Sequence, residues 1–243
     1  MAETYLSGAI SLLERIKKEE LEKIIKASEI MAEAILAGKW IHIFGTGHSH
    51  MMADEVSGRA GGLATFNPMF DSSLSGYSGM VKSGLLEKLD GVGRIIVDCE
   101  QVRKGDVMIV VSNSGVNAAP IEVAVESKKR GLKVIAITSV AHSKSISPRN
   151  SAAKRLFEIA DITLDNMSEP GDALVRLEGA EQRVGPTSTV TGAAILNAIV
   201  SQTALLLAKK GLKPPIWVSG NIPNSEVGNL ALMQKYKRTD RLP

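Results

Sequence analysis

The residues of this chain best suited to chemistry lie in three polar stretches that carry glycine. The first is Gly45-Thr46-Gly47-His48-Ser49, the second is Ser112-Asn113-Ser114-Gly115-Val116-Asn117, and the third runs from Gly185 to Gly192 and includes Thr187 and Ser188. The first two each follow an apolar run that reads as a buried strand and precede a stretch that reads as a helix. At such a junction exposed backbone N–H groups meet the positive end of the helix dipole, so an anion is favoured. Gly45 and Gly47 accept positive φ and let a ligand approach the backbone. Ser49 offers a hydroxyl or a helix cap. The second stretch is denser in donors, and the side chains of Ser112, Asn113, Ser114 and Asn117 can serve phosphate oxygens without the desolvation cost of a buried cation. Two such loops in one domain point to one ligand held at two places. His50 stands where a dinucleotide loop needs a third small residue, and no Lys follows the glycines as a P-loop requires, so neither nucleotide motif fits.

The elements around the loops set the fold. Short apolar runs at 40–44, 94–97, 107–111 and 133–137, with weaker ones at 161–164 and 216–218, alternate with helical stretches at 49–60, 118–130, 189–209 and 226–236. The runs are apolar on both faces, as parallel strands covered by helices should be. This alternation predicts a doubly wound α/β domain, a mainly parallel sheet with helices on both faces, over residues 40–243. In such sheets the ligand crevice lies at the carboxyl ends of the strands, where both loops and Thr138-Ser139 must fall. Residues 4–38 repeat apolar positions at helical spacing (Leu6, Ile10, Leu13, Ile16, then Leu21 to Ile35) and stop at Gly38, which predicts one long helix or a pair. They form a helical arm over 1–39, and a helix outside the repeating core leads us to expect a homodimer or homotetramer. Gly131, after Lys128-Lys129-Arg130, reads as a helix end. The Ser-rich basic segment 141–155 reads as a mobile surface loop.

Composition narrows the partners. Only 4% of the 243 residues are aromatic, too few for base-stacking platforms, and the net charge of +3 is mild. Basic residues gather only at Lys235, Lys237, Arg238 and Arg241, as in a solvated tail, so no nucleic-acid partner is expected. Cys99 is the single cysteine, so no intrachain disulfide can form, which fits a reducing compartment. No signal-peptide pattern is expected at the N-terminus, and no apolar run approaches membrane-spanning length. A cytoplasmic protein without a membrane partner is the expectation.

Taken together the loops resemble the SIS (sugar isomerase) family. Gly45, Gly47 and Ser49 meet a G-x-G-x-S pattern after the first core strand, and Ser112, Ser114 and Gly115 meet S-x-S-G after a later one. Lys133 to Ser139 looks like the family's next strand and Ala160-Asp161 like its Ala-Asp pair, so the likeness covers about residues 40–210. The chain is also similar to phosphoheptose isomerases and to N-acetylmuramic acid 6-phosphate etherases, the Gly185–Gly192 loop being closer to the latter. Asn117 and Ala119 stand where many members have Thr and Glu. The resemblance implies a phosphorylated sugar as ligand, held by Gly45, Thr46, Gly47, His48, Ser49, Ser112, Asn113, Ser114, Gly115, Asn117, Thr187 and Ser188. The implied activity is aldose–ketose isomerisation with no cofactor. The alternatives are an etherase-like lyase and a non-catalytic phosphosugar sensor.

Such an isomerase needs a base near neutral pH and a group to handle the carbonyl proton. The resemblance implies Glu55 as base, while the residues alone allow a solvated ion pair with Arg59 four positions on. His142, after the third strong strand, is the expected acid or shuttle, against the simpler reading of a loop histidine. His42, inside a strand, reads as core. Glu178 and Glu181 are alternative bases if the third loop covers the site. His48 and His50 could share a metal, but no third ligand is evident nearby, so no metal site is expected.

Overall fold

Val- and Ile-rich runs become the centre of one sheet in the computed structural model, which describes residues 1–77 and 79–236. β1 (Ile41–Gly45), β2 (Phe66–Pro68), β3 (Val107–Val111), β4 (Lys133–Thr138) and β5 (Ile162–Asp165) form a five-stranded sheet in the order 2-1-3-4-5. Every neighbouring pair is parallel, with Ile43 beside Ile109 and Ile109 beside Ile135. Because side chains alternate along a strand, the sheet has two buried faces. Ile41, Ile43, Val107, Ile109, Val111, Ile135 and Ile137 pack toward α2 (Leu21–Leu36), α3 (Met51–Val56) and α8 (Ser188–Lys209). Phe44, Met108, Val110, Val134 and Ala136 pack toward α5 (Val92–Cys99) and α6 (Ala118–Lys129). Each fully buried aliphatic side chain contributes about 1.5–3 kcal/mol.

The 2-1-3 order positions the site. After β1 the chain crosses to β2 on one side, and after β3 it crosses to β4 on the other, so the loops leaving β1 and β3 diverge. A crevice opens between them at the carboxyl ends. The remaining elements are α1 (Ala2–Glu19), α4 (Met80–Leu86), α7 (Val140–Lys144), α9 (Ser225–Lys235) and an antiparallel ribbon of β6 (Ala173–Arg176) and β7 (Arg183–Pro186).

Several expectations are corrected. Residues 94–97 are not a strand but part of α5, despite their β-branched run. Gly91 turns the chain at φ +97°, and the Glu122 carboxylate accepts from the N–H groups of Gly91 (2.6 Å) and Gly93 (2.9 Å) to cap the helix. A Cβ at Gly93 would sit 2.7 Å from that of Glu122, so glycine lets α5 lie against α6, and this packing overrides propensity. Residues 216–218 hold only one isolated bridge, Ile216 to Leu63. Of the two forms expected for 4–38 the pair is found, α1 and α2, broken at Glu20, but α2 is no outlying arm and buries Ala27 and Met31 completely in the core. The 49–60 helix is shorter, a 3-10 turn at Gly47–His50 followed by α3. Segment 141–155 contains α7 and is tied down by Arg149 N–H to the Val116 carbonyl (2.8 Å) and by Asn150 Nδ2 to the same oxygen (2.9 Å). α8 does reach membrane-spanning length, 22 residues with a mean hydropathy of 1.7 in its most apolar window. It is a core helix here, with Ile195, Leu196, Ile199 and Leu207 buried. Interspersed Thr, Ser and Asn break up its apolar run in the sequence. Lys237, Arg238 and Arg241 of the basic tail lie outside the described residues.

Candidate functional site

The β1 loop is shaped by its glycines. Thr46 is extended, and the chain then tightens into the 3-10 turn, with Ser49 N–H donating to the Thr46 carbonyl at 3.0 Å. A Cβ on Gly45 would strike the Ser49 carbonyl, so only glycine permits this curl. The Gly47 N–H is already engaged with the Leu74 carbonyl (2.7 Å), which ties the loop to the segment leading into α4. His48 is exposed and Ser49 half-buried.

The β3 loop is locked from below. Gly115 sits at φ +59°, its N–H donates to Ser112 Oγ at 3.1 Å, and an added Cβ would lie 2.9 Å from Thr138 Oγ1 and 3.2 Å from Leu156 Cβ. The Asn113 side chain turns away from the crevice and accepts from Asn166 Nδ2 (2.9 Å) and Ser168 Oγ (2.8 Å). Its role is to brace the loop against the chain beyond β5. Ser114 is half-buried, with its hydroxyl clear of bonds to other described residues. Gly115→Ala and Gly47→Ala should therefore differ. Both incur a left-handed backbone cost of about 1–2 kcal/mol. Gly47 has open space beside it, whereas Gly115→Ala adds overpacking of about 1–3 kcal/mol. Denaturant midpoints at unchanged slope would read the difference.

The two loops meet at a residue that sequence reasoning did not single out. Glu87, which ends α4, accepts from Thr46 Oγ1 of the β1 loop at 2.8 Å and from Asn117 Nδ2 of the β3 loop at 2.7 Å. Its own carbonyl accepts from Ala119 N–H at 2.9 Å, in the first turn of α6. Asn117 occupies the N-cap position of α6 but makes no cap bond. Its amide is diverted to Glu87, and its Oδ1 is buried without a partner. One carboxylate thus joins both turns. A cavity of about 350 Å³ opens there, walled by Gly47, His50, Met51, Tyr77, Met80 and Glu87. The β1 loop and α4 line it directly, and the β3 loop reaches it through Glu87. Glu87 stood too far along the chain from either loop to be found by motif. The signal was only a Glu after an apolar helical run.

Other expected site residues fall elsewhere. Glu55 is half-buried on α3 and bonded to Arg59 and to Asn197 Nδ2 (2.7 Å) of α8. It lines a shallow depression with Asp54 and Arg59, set apart from the crevice by Met51 and Tyr77, which border both. His142, on α7, faces the chain at Gly171, whose N–H lies 3.4 Å from Nδ1, and it does not line the cavity. Burial pushes its pKa below the usual histidine value; Asp172 pulls the other way and Arg149 adds to the fall. Thr187 and Ser188 direct their donors at Asp172, which accepts from Ser188 Oγ (2.6 Å) and from both backbone N–H groups (3.1 and 2.8 Å). A carboxylate therefore already holds the start of α8, where an anion would sit. Glu178 and Glu181 lie exposed on the β6–β7 turn, and Tyr5 Oη ties the end of β7 to α1 through the Pro186 carbonyl at 2.7 Å. His42 is core, with no exposed surface. Among the described residues no three His, Cys, Asp or Glu side chains cluster as a metal site.

Comparison with known proteins identifies the family and the fold. The family model of the SIS domain matches residues 4–139, and so includes both N-terminal helices. A UPF0309 protein of Geobacillus sp. strain WCH70 is 40% identical over 243 residues, covering 100% of this chain and 98% of the relative. Among solved structures, phosphoheptose isomerase GmhA from Neisseria gonorrhoeae superposes with a TM-score of 0.55 at 18% identity, over 85% of this chain and 97% of that one. The Vibrio vulnificus NanR protein, complexed with ManNAc-6P, gives a TM-score of 0.50 at 17% identity, over 96% of this chain and 67% of that one. At these identities the structural likeness establishes a shared fold. The chain belongs to the SIS-domain family and, within it, to UPF0309.

Proposed function

We propose that this protein binds a phosphorylated sugar in the crevice between the β1 and β3 loops and interconverts its aldose and ketose forms, with Glu87 as the base. The observation that carries this reading is the Glu87 carboxylate, held between Thr46 and Asn117 at 2.8 and 2.7 Å on the wall of the cavity. Like charges repel, so the phosphate sits away from Glu87, toward Ser112 and Ser114 of the β3 loop, whose neutral hydroxyl donors receive it. The carbon chain then runs toward Glu87, with Ser49 and Thr46 beside it. Glu55, bound by Arg59 and Asn197, fixes α3 to α8 at the rim. The solved neighbours named above, a phosphoheptose isomerase and a protein complexed with ManNAc-6P, support this ligand class.

A panel of aldose and ketose phosphates tests the reading, first by thermal shift and then by NMR for conversion. We expect at least one sugar to raise Tm and to be isomerised. No stabilisation by any phosphosugar overturns the site, and binding without conversion overturns the isomerase in favour of a sensor. Loss of the ether substituent from N-acetylmuramic acid 6-phosphate favours a lyase.

We also place a second copy of the chain against α4, whose Met80, Val81 and Leu85 are 84%, 78% and 66% exposed beside the cavity mouth. Such a continuous apolar edge is a usual mark of an interface. Light scattering should return a dimer or tetramer, and a Met80→Glu, Leu85→Glu double variant should shift it to monomer.

A further inference from the structure

We infer that His50 is a second catalytic residue, carrying protons between the two sugar oxygens, and that Asp54 positions it; this rests on the isomerase reading above. His50 directly follows the loop that the glycines shape, closing the 3-10 turn that leads into α3. It is only 6% exposed, yet it lines the same cavity as Glu87. Its ring is held on two sides, with the Phe70 centroid 5.2 Å away in a tilted arrangement and the Tyr77 centroid 6.0 Å away edge-on. Nδ1 lies 3.0 Å from Asp54 Oδ2, one helical turn on. A carboxylate facing Nδ1 keeps the proton on that nitrogen and fixes the ring, which leaves Nε2 to serve the cavity. The arrangement is that of an acid–base group with an orienting partner. A core histidine would need no carboxylate from a half-exposed Asp54 and would not border open volume. The charged and titratable groups around it are Asp54 on its own helix, His48 in the preceding turn, Tyr77 from the chain entering α4, and Glu87 at the end of α4.

The proton balance closes with these two residues. Glu87 removes the hydrogen from C2 as a proton, the C–H electron pair becomes the C1=C2 bond, and the former carbonyl oxygen on C1 is left as the enediolate oxygen. His50 Nε2 takes the proton from the hydroxyl on C2 and hands it to that oxygen. The electron pair left on the C2 oxygen forms the new carbonyl, and C1 takes the proton back from Glu87. The sugar has exchanged aldose for ketose, and both residues end as they began.

The test uses the full-length protein and the sugar phosphate that the wild type is found to convert. His50→Ala should lower kcat at least about a hundredfold, the usual lower bound for a positioned acid–base group. It should leave sugar-phosphate affinity within about tenfold, and added imidazole should restore part of the rate by filling the vacated space. His50→Gln, which keeps most of the volume, should be as slow and show no imidazole rescue. Asp54→Asn should lower kcat less than His50→Ala does. Circular dichroism and Tm on each variant establish that it is folded. Wild-type turnover that persists in folded His50→Gln overturns the role of His50 while the isomerase reading stands. A slow His50→Ala that imidazole does not rescue also overturns it. A wild type that converts no sugar phosphate overturns the underlying reading instead.

Discussion

Glu87→Gln is expected to reduce isomerase turnover by roughly a thousandfold, within the range that general base catalysis supplies, while phosphosugar affinity stays within about tenfold. The substitution is well placed to separate chemistry from structure. Thr46 Oγ1 and Asn117 Nδ2 now donate to the two carboxylate oxygens. The glutamine oxygen can keep one of these bonds. Its amide can give the other, because a hydroxyl also accepts and because Asn117 has a buried Oδ1 with no partner that a flip of its amide would present. The loops should therefore stay joined, and Tm should fall little. Only the capacity to take a proton is removed. Glu55→Gln is the matched control. Its ion pair with Arg59 is partly open to water, with side chains 22% and 53% exposed, and such pairs contribute about 0–1 kcal/mol. Glu55→Gln should keep turnover within about tenfold. The reverse pattern, with Glu55→Gln inactive and Glu87→Gln active, would transfer the base to Glu55. Kinetics read as kcat and KM separately, with a thermal melt on each variant, decide between them.

What could be read from the chain and what could not follows from how local each signal is. β1, β3 and β4 were legible because Ile41–Phe44, Val107–Val111 and Val134–Ile137 are apolar on both faces, which only a covered parallel sheet requires. The loops after β1 and β3 were legible because glycine and serine mark the places where the backbone must bend and donate. β2 was not legible, since Phe66-Asn67-Pro68 is three residues long, and its Asn and Pro both argue against a strand until β1 is there to pair with. Arg94-Ile95-Ile96-Val97 misled for the opposite reason, a strong local preference defeated by packing of α5 on α6. The glycine- and serine-bearing loops were legible, but their meeting point was not. Glu87 lies some forty residues from Thr46 and thirty from Asn117, and no spacing rule connects them. In the sequence His50 reads only as a misfit in a dinucleotide loop or as half of a metal pair. Its environment comes from Phe70, Tyr77 and Asp54, which the fold assembles. Thr187 and Ser188 looked available because their partner, Asp172, is brought to them by the β6–β7 ribbon.

Asp106→Ala is expected to have the largest effect on stability of any single change at the foot of the sheet, about 3–5 kcal/mol, from the loss of three hydrogen bonds to one carboxylate at about 1.5–3 kcal/mol each, two of them only part-buried. Asp106 is 1% exposed just before β3, and its carboxylate accepts from Trp40 N–H (3.0 Å), Arg103 N–H (2.8 Å) and His42 Nε2 (3.0 Å). His42 in turn takes Asn67 Nδ2 on Nδ1 at 2.9 Å, and the same amide nitrogen donates to Glu100 Oε2 at 2.9 Å. That double donation fixes the Asn67 amide and makes Nδ1 the acceptor, so His42 presents an N–H to Asp106. β1, β2 and β3 are thus joined by one polar chain, and alanine would remove the acceptor that His42, Trp40 and Arg103 share. At 2–4 °C per kcal/mol for a chain of this size, Tm should fall by roughly 6–20 °C. The pH dependence has a definite sign. Burial alone would raise the Asp106 pKa, but the hydrogen bonds from His42, Trp40 and Arg103 outweigh it and hold the group below its usual value. A carboxylate whose pKa is lower folded than unfolded adds stability above the unfolded value, near 3.9, and loses it as pH falls through the folded value. Wild-type stability should therefore decline below about pH 4, and that part of the decline should be missing in Asp106→Ala. Denaturant melts of both proteins between neutral pH and pH 3 would show it. Curves that stay parallel throughout would mean that the carboxylate is not the anchor of these strands.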